Sequence, residues 1–273
     1  MNAWTADRIR AKLGTSTIVF PPEERFGREH IARVADAGIG CIEVGAYNGL
    51  VHYNHHDEGQ VDEIAQAAVD FAVSVASVHC PLVAYDDADE EARRHVSAES
   101  VAAARAAERM GASVFVCHFH NQPPAEITAR EMLQQLDGCS LRIATENGIN
   151  LTPYAEFVDR FGTDRLGITI DIGHTRVPAE DWLNPFTKPG RAKAIVQDIV
   201  GKRLYHIHLH DYHNNEDHRP PFEGEIEWGD LFDALDCVGY QGALMFESLP
   251  VLSPDETLRK VGAFPEEFVR RYG

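Results

Sequence analysis

The chain has few cationic side chains and no long apolar run. Its 273 residues include 25 lysines and arginines against 43 aspartates and glutamates, a formal net charge of -18 at pH 7. Such a charge repels nucleic acid and anionic membrane surfaces, so we expect no nucleic-acid or membrane partner. No segment reaches the roughly 20 apolar residues of a membrane span, and the first residues lack the apolar core of a signal peptide. These absences favour a cytoplasmic protein.

Paired cysteines and internal boundaries are missing as well. The five cysteines are widely spaced, none forms a CxxC motif, and most stand in apolar segments (Cys41, Cys80, Cys117, Cys139 and Cys237). This pattern predicts reduced, packed thiols in a reducing compartment. Because no linker, low-complexity tract or change of composition divides the chain, we expect one domain over residues 1–273.

Short apolar segments alternate with longer amphipathic ones along the whole chain. Helical patterns such as 28–38 and 96–112 lie between eight segments with the length and composition of strands: 15–20, 41–46, 76–82, 113–119, 141–147, 167–173, 204–210 and 243–249. Eight strand–helix units in 273 residues predict an α/β fold consisting of a single (β/α)8 TIM barrel. A doubly wound open sheet is the alternative, and it would usually contain fewer strands.

The most unusual segment is "LYHIHLHDYHNNEDH", residues 204–218. Residues two apart on a β-strand project to the same face, so His206, His208 and His210 are expected in one row. Ile207 and Leu209 would then point the other way, towards an apolar layer. The segment therefore predicts the wall of a polar cavity. By contrast, the histidines of "VHYNHH" (51–56) are expected in a solvated loop.

Six consecutive predicted strands end in a side chain that can bind a metal or transfer a proton. These side chains are His79, His118, Glu146, Asp171 with His174, His208 and Glu247. Active sites of TIM barrels lie at the C-terminal ends of the strands, where these residues would meet. Unpartnered buried polar groups cost several kcal/mol or so each, and a shared divalent ion would satisfy carboxylates and imidazole together. Mixed oxygen and nitrogen ligands suit Mn, Co, Mg or Zn.

Four motifs carry a resemblance to a known superfamily: "ENG" (146–148), "DIGH" (171–174), "HIHLHD…DHRPPFEGEIEW" (206–228) and "MFES" (245–248). They resemble the xylose isomerase-like barrels, which include sugar isomerases and epimerases and the family-2 AP endonucleases. The resemblance implies one divalent metal ion bound by Glu146, Asp171, His208 and Glu247. It also implies that Glu146 and Glu247 are catalytic and exchange a proton with the substrate carbon.

Other polar residues near these motifs are predicted to bind substrate: His79, His118, His174, His210, Arg176 and His218. Among them, His174 could instead face a second metal ion, and Arg176 is the candidate contact for an anionic group. His206 is expected one layer deeper, in support of the site, and His210 is expected toward the mouth, in contact with substrate or loop. The resemblance also implies that His79, His118, Glu216 and His218 correspond to extra ligands of the multi-zinc AP endonucleases.

The function predicted is a metal-dependent isomerase or epimerase that acts on a sugar, sugar phosphate or related polyol or keto compound through an enediolate. Asn214 and Thr152 stand where ketose 3-epimerases carry an arginine and an acid, so this specificity is not predicted. There are three alternatives: a dehydratase or lyase on the same scaffold, a zinc-dependent AP endonuclease, and a non-catalytic barrel that binds a ligand or partner. A small carbohydrate-like molecule is the expected partner, and a second metal ion and a homo-oligomer stay open.

Overall fold

A computed structural model describes residues 4–45, 51–81, 85, 89–249 and 253–273. Eight parallel strands close into a barrel in the order β1-β10-β7-β6-β5-β4-β3-β2. The ten strands are β1 (Leu13–Ser16), β2 (Cys41–Gly45), β3 (Ser74–His79), β4 (Val114–Cys117), β5 (Arg142–Glu146), β6 (Leu166–Asp171), β7 (Leu204–Leu209), β8 (Asp211–His213), β9 (Glu216–Arg219) and β10 (Leu244–Phe246). The predicted (β/α)8 TIM barrel is confirmed. Strands β8 and β9 form an additional antiparallel hairpin.

Helices connect the strands around the outside of the barrel. They are α1 (Ala6–Arg10), α2 (Arg28–Asp36), α3 (Glu58–Asp70), α4 (Glu90–Arg109), α5 (Pro123–Gln135), α6 (Thr152–Asp159), α7 (Trp228–Cys237), α8 (Pro254–Gly262) and α9 (Phe264–Tyr272). Side-chain caps start several of them, as where Asp89 accepts from the backbone N–H of Ala92 before α4. Among the described residues, no helix is both long and apolar enough to cross a membrane.

Several sequence predictions differ from these bounds; the helix predicted over 96–112, for example, begins at Glu90 and ends at Arg109. The first predicted strand, 15–20, is wrong in its second half, because β1 ends at Ser16 and Thr17–Val19 form a 3-10 turn. Between β6 and β7 the chain forms only short 3-10 turns and a π-helical segment, Ala194–Val200. Residues 46 and 82, at the ends of two other predicted strands, lie outside the described part of the chain.

The alternation in β7 separates an apolar layer from a polar interior. Ile207 and Leu209 are fully buried, as are His206, His208 and His210 on the opposite face. The parallel register pairs His208 with Asp171 on β6 and with Met245 on β10. This pairing brings the C-terminal ends of three strands to one level and places their polar residues at the same end of the barrel.

The β8–β9 hairpin lies beside this end of the barrel and returns the chain to it. Its turn uses Asn214 and Asn215, both with positive φ, which asparagine tolerates well. At its base, buried Asp211 accepts hydrogen bonds from the backbone N–H groups of Tyr212 (2.8 Å) and Ile226 (3.1 Å). The return strand is fixed where the carbonyl of His218 accepts from the N–H of Leu249 (2.9 Å).

Candidate metal centre

Four side chains from four neighbouring strands converge at the C-terminal end of the barrel. Each of Glu146, Asp171, His208 and Glu247 offers one potential ligand atom, and these atoms lie within 4.8 Å of one another. Nδ1 of His208 is 2.9 Å from Oε2 of Glu247, 3.2 Å from Oε2 of Glu146 and 3.9 Å from Oδ2 of Asp171. We call these residues the upper quartet. Their convergence is what the metal prediction requires, and their role as ligands stays a prediction.

The chemistry of the upper quartet fits a divalent cation. All four side chains are buried, and Nδ1 of His208 makes no hydrogen bond within the described residues. Burial alone would raise the pKa of Glu146, but the charges of His118 and His208 lower it well below its usual range. Three buried carboxylates thus surround one imidazole nitrogen that has no hydrogen-bond partner among the described residues. Oxygen and nitrogen donors in this combination suit Zn or Mn.

Below the quartet lies a buried glutamate that the sequence analysis missed. Glu43, on β2, is fully buried, and its Oε2 accepts a hydrogen bond from Oγ of Ser77 (2.7 Å). Nε2 of His206 lies 3.0 Å from Oε2, and Nε2 of His208 lies 3.0 Å from Oε1. When Nε2 of His208 donates to this carboxylate, Nδ1 is left as the ligand atom, in the carboxylate–histidine–metal arrangement. We call Glu43, Ser77 and His206 the lower group.

One sequence signal could have revealed Glu43. It stands in the middle of the strand "CIEVG", between Ile42 and Val44, where an acid is unexpected. The prediction considered only strand ends and therefore passed over it. The expectation for His206, a supporting position one layer deeper, agrees with its contacts to Glu43 and Ser77.

Four histidines surround the opening above the quartet. On one side, Nε2 of His79 is 3.2 Å from Oε2 of Glu146, and Nε2 of His118 is 3.0 Å from Nε2 of His79. Burial lowers the pKa of His118 to about 4. The side chains of His79 and His118 are 19% and 25% exposed, so a ligand in the opening can reach them.

The other two histidines lie on the side of Asp171. Nδ1 of His174 is 3.1 Å from Oε1 of Glu146, and Nε2 of His218 is 3.6 Å from Oε2 of Glu247. His79, His118, His174 and His218 are called the mouth histidines below. Together with Glu146 or Asp171 they form two further groups with metal-ligand spacing: His79 with His118 and Glu146, and Asp171 with His174 and His218.

Of the two contacts predicted for His210, with substrate or with a loop, the structure shows the contact with the loop. His210 is fully buried, and its Nε2 donates to Asp171 at 3.0 Å while its Nδ1 accepts from the backbone N–H of His218 at 2.8 Å. Both ring nitrogens are therefore engaged within the protein, which corrects the expected contact with substrate. His210 instead positions the carboxylate of Asp171 from behind.

Arg176 and Glu216 also differ from expectation. The guanidinium of Arg176 donates to the backbone carbonyls of Gly173 and Thr175 and packs over the ring of Tyr212 at 4.5 Å. These contacts hold the loop after β6 and argue against a free anion contact. Glu216 is exposed and pairs with Arg219, while the acid beside His218 is its neighbour Asp217, at 3.0 Å.

The sequence matches a family described as "Xylose isomerase-like TIM barrel" over residues 31–261. This match covers most of the chain, and the protein belongs to that family. The resemblance that the motifs predicted is thereby confirmed.

Solved structures with this fold include several sugar-active proteins. A D-tagatose 3-epimerase-like protein superposes with a TM-score of 0.74 at 19% identity, over 95% of this chain and 98% of that one. The IOLI protein, crystallised with a zinc atom, gives 0.75 at 16% identity over 96% and 99% of the two chains. The 3-keto-D-glucoside 4-epimerase YcjR from E. coli gives 0.73 at 16% identity over 94% and 99%. At these identities, the likeness establishes the fold.

Curated relatives match only part of the chain. Uncharacterized protein y4fM of Sinorhizobium fredii is 32% identical over 104 residues, 38% of this chain and 29% of that protein. Uncharacterized protein MJ1311 of Methanocaldococcus jannaschii is 28% identical over 130 residues, 44% of this chain and 41% of that protein. The chain thus aligns with less than half the length of either relative.

Proposed function

We propose that the protein is a divalent-metal-dependent isomerase or epimerase acting on a small carbohydrate or a related polyol or keto compound. The convergence of the upper quartet carries this proposal, because it unites a metal-binding donor set with two carboxylates suited to proton transfer. The ion would be held by Glu146, Asp171, His208 and Glu247. It would act as a Lewis acid on a carbonyl and an adjacent hydroxyl oxygen, which acidifies the C–H bond between them.

Glu146 and Glu247 are the proposed acid–base pair. Both carboxylates lie on the mouth side of His208, with Oε2 atoms 3.2 and 2.9 Å from its Nδ1. Burial opposes ionisation of Glu247 and would raise its pKa, but the charge of His208 and the neighbouring His218 lower that pKa to about 2. Both groups are thus carboxylates at neutral pH, so one can remove a proton from carbon and the other can return one.

The mouth histidines are the proposed substrate contacts. They are the partly exposed polar side chains nearest the two glutamates, and imidazole can donate to or accept from sugar hydroxyls. The same arrangement would support loss of a β-hydroxyl after proton removal. Dehydration is therefore a neighbouring reaction on this scaffold.

A second metal ion is proposed beside the first. The group of His79, His118 and Glu146 has ligand spacing of its own and shares Glu146 with the upper quartet. This observation favours the AP endonuclease alternative, in which several zinc ions act together. The net charge of -18 opposes it, because a nuclease must approach the phosphate backbone.

Solvent hydrogen exchange tests the proposed function. The protein, loaded with Mn, Co, Mg or Zn, is incubated in D2O with ketoses, ketose phosphates and inososes, and carbon-bound deuterium is followed by NMR. We expect incorporation into at least one compound, which Glu247→Gln abolishes and Glu216→Gln, a change at an exposed glutamate, leaves intact. Specific nicking of an abasic duplex that Glu146→Gln abolishes, with no exchange into any compound, would overturn the isomerase and favour the nuclease.

A further inference from the structure

A separate group of two histidines and a carboxylate lies between the start of α3 and the middle of α4. It consists of His55, His56 and Glu99, and it shares no residue with the groups at the barrel mouth. The sequence predicted a solvated loop for the two histidines, but the side chain of His55 is only 1% exposed, whereas that of His56 is 50% exposed. One ring is therefore fixed in the protein, and the other is accessible from solvent.

The three side chains direct their ligand atoms at one point. Nε2 of His56 is 2.7 Å and Nε2 of His55 is 3.3 Å from the same atom, Oε2 of Glu99. The two imidazole rings lie with their centroids 4.0 Å apart. Ligands bound at about 2.0–2.1 Å in a tetrahedral shell are roughly 3.3 Å from one another. The observed separations are thus close to those of three ligands around one ion.

The protonation states of these groups also suit a cation. Burial and the neighbouring His56 lower the pKa of His55, so its ring is neutral at pH 7, the form that binds metals. Burial alone would raise the pKa of Glu99, but its hydrogen bonds with His56 and His55 and the charge of His56 lower it. The group therefore offers two imidazole nitrogens and a carboxylate oxygen.

We propose that His55, His56 and Glu99 bind a divalent transition-metal ion, with zinc the best match to two imidazoles and one carboxylate. Sites with two histidines and one glutamate leave a fourth position open, here on the side of half-exposed His56. His95 stands one helical turn before Glu99 on α4, on the same helix face, and is exposed. The ion would join the loop before α3 to α4, independently of the function proposed for the barrel mouth.

Zinc titration of the full chain tests this site. Bound zinc per protein and affinity are measured by competition with a chromophoric chelator, for the unchanged protein and for Glu99→Gln and His56→Ala. We expect each variant to bind one equivalent fewer. Loss of an indirect partner already costs about 10–100-fold in metal affinity, so loss of a direct ligand should cost at least as much. Glu91→Gln, an exposed change on the same helix, should bind as the unchanged protein does.

The test compares the zinc bound by each variant with that bound by the unchanged protein, so it does not depend on whether the barrel mouth binds zinc. Zinc should also raise the Tm of the unchanged protein more than that of either variant, because an ion that binds the folded state stabilises it. His56→Gln, at a half-exposed position, replaces any variant that does not fold. Equal stoichiometry and affinity in all folded variants would show that the three residues form only an ion pair and would overturn the proposal.

Discussion

Both layers of the barrel interior contain carboxylates and imidazoles, but in opposite proportions. In the lower group, Oγ of Ser77 and Nε2 of His206 lie 2.7 and 3.0 Å from a single carboxylate oxygen of Glu43. In the upper quartet, three carboxylates surround one imidazole nitrogen, Nδ1 of His208, which has no hydrogen-bond partner in the described part of the chain. Glu43, His206 and His208 also have metal-ligand spacing, but Oε2 of Glu43 already has hydrogen-bond partners in Ser77, His206 and His208, and only its Oε1 has none among the described residues. The comparison indicates that a cation would bind in the upper layer, where three carboxylates face a single imidazole nitrogen.

Replacing His208 should have the largest effect, because its ring joins the two layers. In His208→Ala we expect the protein to bind about one equivalent of metal fewer than the unchanged protein does. The change also removes a partner from buried Glu43, and loss of one partner from a buried charge pair costs about 3–5 kcal/mol of unfolding free energy. Metal analysis and urea unfolding measure the two effects. A variant that binds as many equivalents as the unchanged protein would show that another nitrogen is the ligand.

Glu43→Gln changes the lower layer and leaves every proposed ligand in place. The amide cannot accept from both histidines and Ser77 as the carboxylate does, so the orientation of His208 is held less firmly. Loss of such an outer partner costs about 10–100-fold in metal affinity. Competition with a chelator at fixed pH measures this loss of metal affinity. Unchanged affinity would mean that the barrel wall alone orients His208.

His210→Ala tests the corrected role of that residue. Because His210 holds Asp171 at 3.0 Å and is fully buried, the change should weaken metal binding by about tenfold, at the lower end of outer-partner effects. The same chelator competition gives the value. Turnover of a substrate identified by deuterium exchange should recover when metal is in excess. A loss of turnover that persists at saturating metal would instead indicate that His210 contacts the substrate.

His206→Gln should have the smallest effect, confined to stability. Its Nε2 bonds only within the lower group, so the expected cost is about 1–3 kcal/mol for a disturbed buried hydrogen bond, with no change in metal affinity. Denaturant unfolding and metal analysis on the same sample separate the two. A loss of metal equal to that of His208→Ala would contradict the division into layers.

The convergence of the upper-quartet residues could be predicted from the sequence because two local rules place them at one end of the barrel, whereas the resemblance to the family singled out these four as ligands. Strand alternation predicts that the side chain of His208 points into the barrel. The position of Glu146 and Glu247 at strand ends predicts that they lie at the C-terminal end of the barrel. Glu43 obeys neither rule, since it lies mid-strand and its partner His206 is 163 residues away. Only the closed barrel brings these two side chains together.

The sequence placed His210 on the correct face but left its contact open between substrate and loop. Alternation along β7 fixes the direction of its side chain but not what covers it. The β8–β9 hairpin covers His210, and the backbone N–H of His218 donates to Nδ1 of His210 at 2.8 Å. This contact depends on the turn at Asn214 and Asn215, which local sequence rules locate without fixing where the return strand lies.

The position of a bound ion tests the central claim most directly. Crystals grown with zinc or cobalt would be measured at the absorption edge of the metal, and the anomalous difference peaks located. We expect the strongest peak about 2.0–2.4 Å from Nδ1 of His208 and from carboxylate oxygens of Glu146, Asp171 and Glu247. A peak on the other side of the ring, between Nε2 of His208 and Glu43, would contradict the account, as would no peak at the barrel mouth with the metal at saturation.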